Sequence, residues 1–374
     1  MKKIKQILQI LILILTGIFI VVAIFFALDL NPKESIGTKQ ENQNEIQQKE
    51  ANKKENESNI NVVPTMNDKI EKKTAWCGTF QLVWNDLKND FAKQKIEFTP
   101  QIEEVENLNK EDFNTSSISE KSYFKAQGVP TKELKEQIEK QIEEKFNEKS
   151  EILDSFDFDG NPDKYFLYAM LKKEFEFKNE FEELEKGNFG DYEDVEYFGL
   201  NRKASEKVRN QIDVLYYNSS EDFAIKLNTK QDDEVIIAKG IEKNTFNEIY
   251  DEINKRKEEY TGDKEFTEND TLKIPNIKFD VKKEYKNLEN KPFKIYNEDS
   301  YVIDKAIQTI EFELNKKGGK IKSEAGMGIA KTALINKDEQ RDFAVDNTFT
   351  IFLKESNKDK PYFAANIENI KEFQ

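Results

Sequence analysis

The sequence predicts an α+β domain in which helices come first and strands dominate the rest. Three observations predict it. In the first half of the folded region, apolar residues recur every three or four positions. Later runs rich in Val, Ile, Phe and Tyr are bounded by Gly, Asn, Asp or Pro clusters, the mark of strands. Segregated helices and strands fit an α+β architecture of helices packed on large mixed or antiparallel sheets.

The elements follow in order. Lys2, Lys3 and Lys5 precede an apolar run from Ile10 to Leu28. Nineteen residues at 1.5 Å each span about 28 Å, close to one bilayer core. Residues 1–28 therefore read as a transmembrane signal-anchor. The lysines place the N-terminus in the cytoplasm, making a single-pass protein with its C-terminal domain outside the cell. Cleavage after Ala23 or Ala27, giving a secreted protein, is the alternative. Residues 29–72, rich in Asn, Gln, Glu and Lys, read as a disordered polar linker. The folded domain is expected over 73–374.

Trp76, Phe80, Val83, Trp84, Leu87 and Phe91 give one apolar stripe and predict a first helix, with Cys77 buried in it. A second helix is expected from Thr131, its N-cap, with Leu134, Ile138, Ile142 and Phe146 on one face. A third covers 244–260. Strands are expected over 165–171, 211–217, 223–227, 234–238, 272–282, 306–314, 343–353 and 361–367.

Composition narrows the chemistry. The 374 residues include no His and one Cys. Imidazole triads and His-ligated metals are excluded, and Cys77 alone makes neither a disulfide nor a zinc site. No cofactor, no metal and no catalytic residue are expected, and the chain does not read as an enzyme. A net charge of −15 argues against nucleic-acid binding. Asp154, Asp157, Asp159 and Asp163 suggest a calcium loop, but Phe166 stands where the closing carboxylate is required, so a polar turn is expected.

Four stretches carry a family resemblance. Tyr168-Ala169-Met170-Leu171-Lys172-Lys173, trailed by Phe175, Phe177 and Phe181, is the first. Gln211–Tyr217 and Ile274–Phe279 are the second and third. The fourth and strongest is C-terminal: Phe312-Glu313-Leu314-Asn315-Lys316-Lys317-Gly318, then a loop, then Phe343–Phe352 and Pro361–Ile367. In order and spacing they resemble the serpins, over residues 165–374. The chain resembles a divergent bacterial serpin-like protein, from a Gram-positive-like cell, with a shortened N-terminal half. The family's alanine-rich hinge is absent, and Gly319-Lys320-Ile321-Lys322-Ser323-Glu324-Ala325 stands there.

The resemblance implies a monomeric protease inhibitor. A target serine or cysteine protease cuts the exposed reactive loop, which then inserts as a new strand into the central sheet and drags the protease along. Gly318 and Gly319 would be the hinge, since Gly tolerates the redirected backbone. A strand alternates faces with period two. From Gly319, the inserting face is then Ile321, Ser323, Ala325, Met327 and Ile329, which carries no charge. Lys320, Lys322, Glu324, Gly326, Gly328 and Ala330 form the other face. The scissile region falls at Lys331, Thr332 and Ala333. Lys331 suits a trypsin-like enzyme and Thr332 an elastase- or subtilisin-like one, whereas Arg341 stands too close to Phe343 to be the bait. The alternatives are a bland polar loop and a non-inhibitory binding or structural protein at the cell surface.

Overall fold

The computed structural model describes residues 59–319, except 203 and 298, and residues 340–374. Strand β1 (Asn61–Val62) runs parallel to β2 (Lys73–Cys77). Helix α1 (Thr79–Asp86) continues as a π-helix over Leu87–Ala92, and α2 (Glu103–Leu108) follows. Strand β3 (Tyr123–Gly128) leads into α3 (Lys132–Phe146), and β4 (Phe166–Leu171) returns antiparallel to β3. The two-residue β5 (Phe175–Glu176) comes next. Strands β6 (Glu182–Phe189) and β7 (Tyr192–Leu200) form a hairpin. After α4 (Glu206–Arg209), a meander carries β8 (Ile212–Ser219), β9 (Asp222–Asn228) and β10 (Asp233–Lys239). Helix α5 (Phe246–Glu259) precedes β11 (Thr271–Pro275) and β12 (Ile277–Glu284). A small hairpin, β13 (Pro292–Lys294) and β14 (Ser300–Val302), leads to β15 (Ile307–Leu314) and β16 (Gly318–Gly319). The chain ends with β17 (Asp342–Ala344), β18 (Phe349–Glu355) and β19 (Pro361–Ile367).

A seven-stranded mixed sheet has the order β1-β2-β19-β18-β10-β9-β8, and a second, four-stranded sheet the order β17-β11-β7-β6. Two further pairs, β3-β4 and β12-β15, stand as separate two-stranded sheets. The main core lies where β12 and β15 pack on β19: Phe279 and Phe312 stack against Phe363 at 6.4 and 4.6 Å between ring centres. A satellite core sits under α3, where Ile138, Ile142 and Phe146 meet Phe166 and Tyr168. Another joins Phe80, Trp84 and Leu87 to Tyr285 and Phe293.

Local signals explain the long helices. The Thr131 side chain accepts from the Leu134 amide, and Asn147 ends α3 in the left-handed region at φ 52°. Thr245 and Glu248 form a capping box at the start of α5, which buries Phe246, Ile249, Tyr250 and Ile253. Thr245→Ala should cost about 1 kcal/mol. Thermal melting would read this as a drop of a few degrees, and an unchanged melting temperature would mean the box contributes nothing.

Several expectations are corrected. Trp76 and Cys77 belong to strand β2, not to the first helix, which starts at Thr79. Strand β2 buries Thr74, Ala75 and Trp76 in succession, and a segment buried on both faces has no period to separate strand from helix. The strand expected over 272–282 is two strands in different sheets, broken at Asn276. That expected over 343–353 divides into β17 and β18 in the same way. Described structure precedes residue 73: strand β1 covers Asn61–Val62. Ile60, Val62, Val63 and Met66, placed by sequence in the linker, are buried in the main core.

The single-pass membrane localisation is also corrected. Among the described residues no helix is long and apolar enough to cross a membrane. The Ile10–Leu28 segment on which that expectation stood lies outside them, as does residues 29–58 of the expected linker.

Candidate functional site

Between the β3-β4 pair and the β12-β15 pair runs a cleft of about 930 Å³. Its walls are 167–175 on one side and 306–313 on the other, with Gly319 at one end. Phe80, Trp84, Leu353 and Phe363 also line it. Along β4, side chains alternate. Leu167, Ala169 and Leu171 turn toward the inner cores, while Phe166, Tyr168 and Met170 turn toward α3. Along β15, Ile310, Phe312 and Leu314 face the main core and Glu311 is exposed. Strand β4 is hydrogen-bonded to β3, and β15 to β12. Beyond the contacts of β16, neither strand has a partner on its other edge among the described residues.

The sequence-predicted hinge lies at the head of this cleft. After β15 the chain turns back through Lys316 and Lys317, and Asn315 and Gly318 exchange backbone hydrogen bonds of 3.0 and 3.1 Å. The turn is held from the opposite wall, where the Phe177 and Phe181 amides donate to the Lys317 and Lys316 carbonyls, each at 2.9 Å. Gly318 and Gly319 then pair antiparallel with Glu176 and Phe175. Both glycines are buried. Gly318 has φ 140°, and a Cβ there would strike the Phe175 carbonyl oxygen. A Cβ on Gly319 would lie 2.7 Å from the Phe175 ring and 3.0 Å from the Glu313 carbonyl oxygen. Gly318→Ala should therefore unpick β16, costing about 1–3 kcal/mol locally. Hydrogen exchange checks this: the Phe177 and Phe181 amides should lose protection, and unchanged protection would refute it.

Under the wall between β4 and β5 lies a buried ionic cluster. Lys173 Nζ sits 2.9 Å from Asp233 and 2.8 Å from Glu355, whose side chains are 1% and 2% exposed. The Tyr362 hydroxyl donates to Asp233 at 3.1 Å, and the Ser119 amide donates to Glu355 at 3.0 Å. Burial pushes the Asp233 carboxyl above its usual value despite Lys173 and Tyr362. Burial also acts on Glu355, but Lys173 and Ser119 together carry it below the usual range. The chain's return at the far end is fixed as well. Arg341, 7% exposed, pairs with the fully buried Asp270 at 2.7 and 3.1 Å.

Of the sequence-predicted site residues, Gly318 and Gly319 are described, and Gly319 lines the cleft. Ile321, Ser323, Ala325, Met327 and Ile329, and the scissile region Lys331, Thr332 and Ala333, lie outside the described residues. Sequence reading missed Lys173, Asp233 and Glu355. Their separations of 60 and 182 positions leave no local signal, and only the position of Lys173 on the inward side of an extended apolar run hinted at burial. It also missed Arg341 as an anchor.

No family model and no curated protein matches the chain. Among solved structures it is similar to Serpin48 of the insect Tenebrio molitor, described as a highly specific serpin. The two are 14% identical, the match covers 73% of this chain and 72% of that one, and the TM-score is 0.41. It is also similar to human thyroxine-binding globulin complexed with its hormone, at 10% identity, 63% and 64% coverage and a TM-score of 0.38. Likenesses this slight carry no functional reading, and the bacterial origin expected from the sequence finds no support in them.

Proposed function

We propose that this chain is a serpin-like protease inhibitor that works by loop cleavage and insertion. The observation that carries the reading is the position of β16. Its two residues pair antiparallel with β5, and Gly319 lines one end of the cleft between β4 and β15. An edge whose backbone groups lack partners is a template for another strand.

A strand that continued the Gly319↔Phe175 pairing would set Ile321, Ser323, Ala325 and Met327 opposite Lys173, Leu171, Ala169 and Leu167. One that continued Asn315↔Gly318 would set the first three opposite Phe312, Ile310 and Gln308. Directly opposed residues in an antiparallel pair share a face. In such a strand the same uncharged set would face inward against both walls, with Ile329 next in it. Cleavage among Lys331, Thr332 and Ala333 would free this strand near its end. The protease partner would be trypsin-like if it reads Lys331, and elastase- or subtilisin-like if it reads Thr332.

The test is to incubate the full chain with proteases of these three classes and look for a complex that survives boiling in detergent. A stable complex identifies the inhibitor and its target class. Clean cleavage with no complex and no gain in melting temperature would sink the reading, leaving a scaffold that binds without the transition.

A further inference from the structure

The cleft changes character at its foot, the end away from Gly319, where β4 and β15 both begin. Here its wall is aromatic. Tyr165 stacks on Phe91 at 4.6 Å and 29°, and Tyr301 meets the same Phe91 ring edge-on at 5.0 Å. Tyr165 lines the cleft and remains 39% exposed. Phe91 and Tyr301 belong to the same apolar cluster as Trp84, Leu87, Leu167 and Ala306, so the aromatic foot runs without a break into an apolar floor. Asp157, Asp163, Asp299 and Asp304 line this end, against Lys164 and Lys305. Both lysines are engaged, Lys164 with Asp159 at 2.9 Å and Lys305 with the Ser155 carbonyl at 2.7 Å. Asp157 and Asp304 also act on Lys164, from beyond ion-pair distance. Burial first, and then Asp90 and Asp86, push the Tyr165 hydroxyl up from its usual value. Negative charge therefore prevails around the open Tyr165 ring.

We propose that the foot of the cleft binds an amphipathic organic cation, with its quaternary ammonium head at Tyr165 between Asp163 and Asp304 and its alkyl tail on the floor of Leu87, Trp84 and Ala306. A cation is attracted to the face of an aromatic ring within about 6 Å of its centre. A quaternary head has no N–H to satisfy, so rings and flanking carboxylates meet its needs. An acidic rim alone would suit any cation, and an apolar floor alone any hydrocarbon. Here the two join at one end, which selects a ligand carrying both. An anionic amphiphile of the same shape would face the carboxylates with Lys164 and Lys305 already engaged. The cleft's volume of about 930 Å³ lies within the range of small-molecule sites, roughly 300–1,000 Å³. Every residue of this site is among the described ones, and binding here does not require the loop to insert.

The experiment titrates the intact full chain by calorimetry with octyltrimethylammonium below its micelle concentration. Octyl sulfonate supplies the same tail with the opposite charge, and tetramethylammonium the head without the tail. The second control matters because a chain of net charge −15 attracts any cation. Octyltrimethylammonium should bind saturably, one per chain, at least about tenfold more tightly than either control. Asp163→Asn with Asp304→Asn should weaken it by about tenfold and leave octyl sulfonate no weaker. Tyr165→Leu keeps an apolar side chain but removes the ring, and should weaken the cation alone by about three- to tenfold. All three positions are exposed, and unchanged melting temperatures would show that the variants fold. Equal affinity for the two octyl compounds, binding that does not saturate, or variants that bind like the wild type would each overturn the proposal.

Discussion

Cutting the loop near Lys331 should raise the melting temperature of the protein by roughly 10 °C or more. A domain of this size moves by about 2–4 °C per kcal/mol, so a net gain of ~5 kcal/mol suffices. The gain would come from pairing the two cleft edges that lack a strand partner among the described residues and from burying the Ile321, Met327 and Ile329 side chains, each worth ~1.5–3 kcal/mol. The choice of blocking mutation follows from the register. A carboxylate at 321 would fall beside Lys173, which could partly neutralise it. In the proposed register, position 323 would fall between Leu171 and Ile310, both apolar. Ser323→Asp would there bury an unpaired charge, at a cost of several kcal/mol. Differential scanning calorimetry of cut and uncut chains should show the gain in the wild type and its loss in Ser323→Asp. Equal gains in both would mean that residue 323 does not face the core, and the register would be wrong.

Much of this fold was legible because its signals are local. Thr131 before a four-residue apolar repeat, and Thr245 with Glu248, each mark a helix start without reference to the rest of the chain. The two C-terminal strands and the strand ending at Leu314 announce themselves by β-branched and aromatic content. The β6-β7 hairpin was not legible. No strand was expected between 172 and 210, whereas Glu182, Glu183 and Glu185 lie on an exposed edge strand. Breaks within long strand runs, at Asn276 and after Ala344, are tertiary decisions about which sheet each half joins. The candidate site divides the same way. Gly318 and Gly319 were visible as two adjacent glycines at a strand end. The cleft was not, because an edge left without a partner is a property of the assembled sheets and has no counterpart in residue order.

Lys173→Met should destabilise the uncut protein by about 3–5 kcal/mol, the usual penalty for removing one partner of a buried ion pair. Methionine fills similar space, so the loss is electrostatic. It leaves Asp233 and Glu355, 1% and 2% exposed, sharing one site without the cation that lies within 3 Å of both. The pH dependence separates this account from a packing defect. In the wild type Glu355 is held below its usual range. Its contribution is therefore present above the unfolded value and lost as pH falls through the folded one. In the variant, desolvation and mutual repulsion raise both carboxyls above their unfolded values. That contribution is present at low pH and lost as pH rises. The stability gap between the two proteins should accordingly be widest near neutrality and narrow as pH falls toward about 4. Urea titrations at a series of pH values measure it, and a gap independent of pH would refute the electrostatic account. Adding Asp233→Asn and Glu355→Gln should recover most of the loss, since neutral amides need no cation. The cluster braces the wall of the cleft where Ile321 is expected to enter. The same variant should therefore show faster hydrogen exchange at Phe177 and Phe181, whose amides hold the hinge turn from that wall.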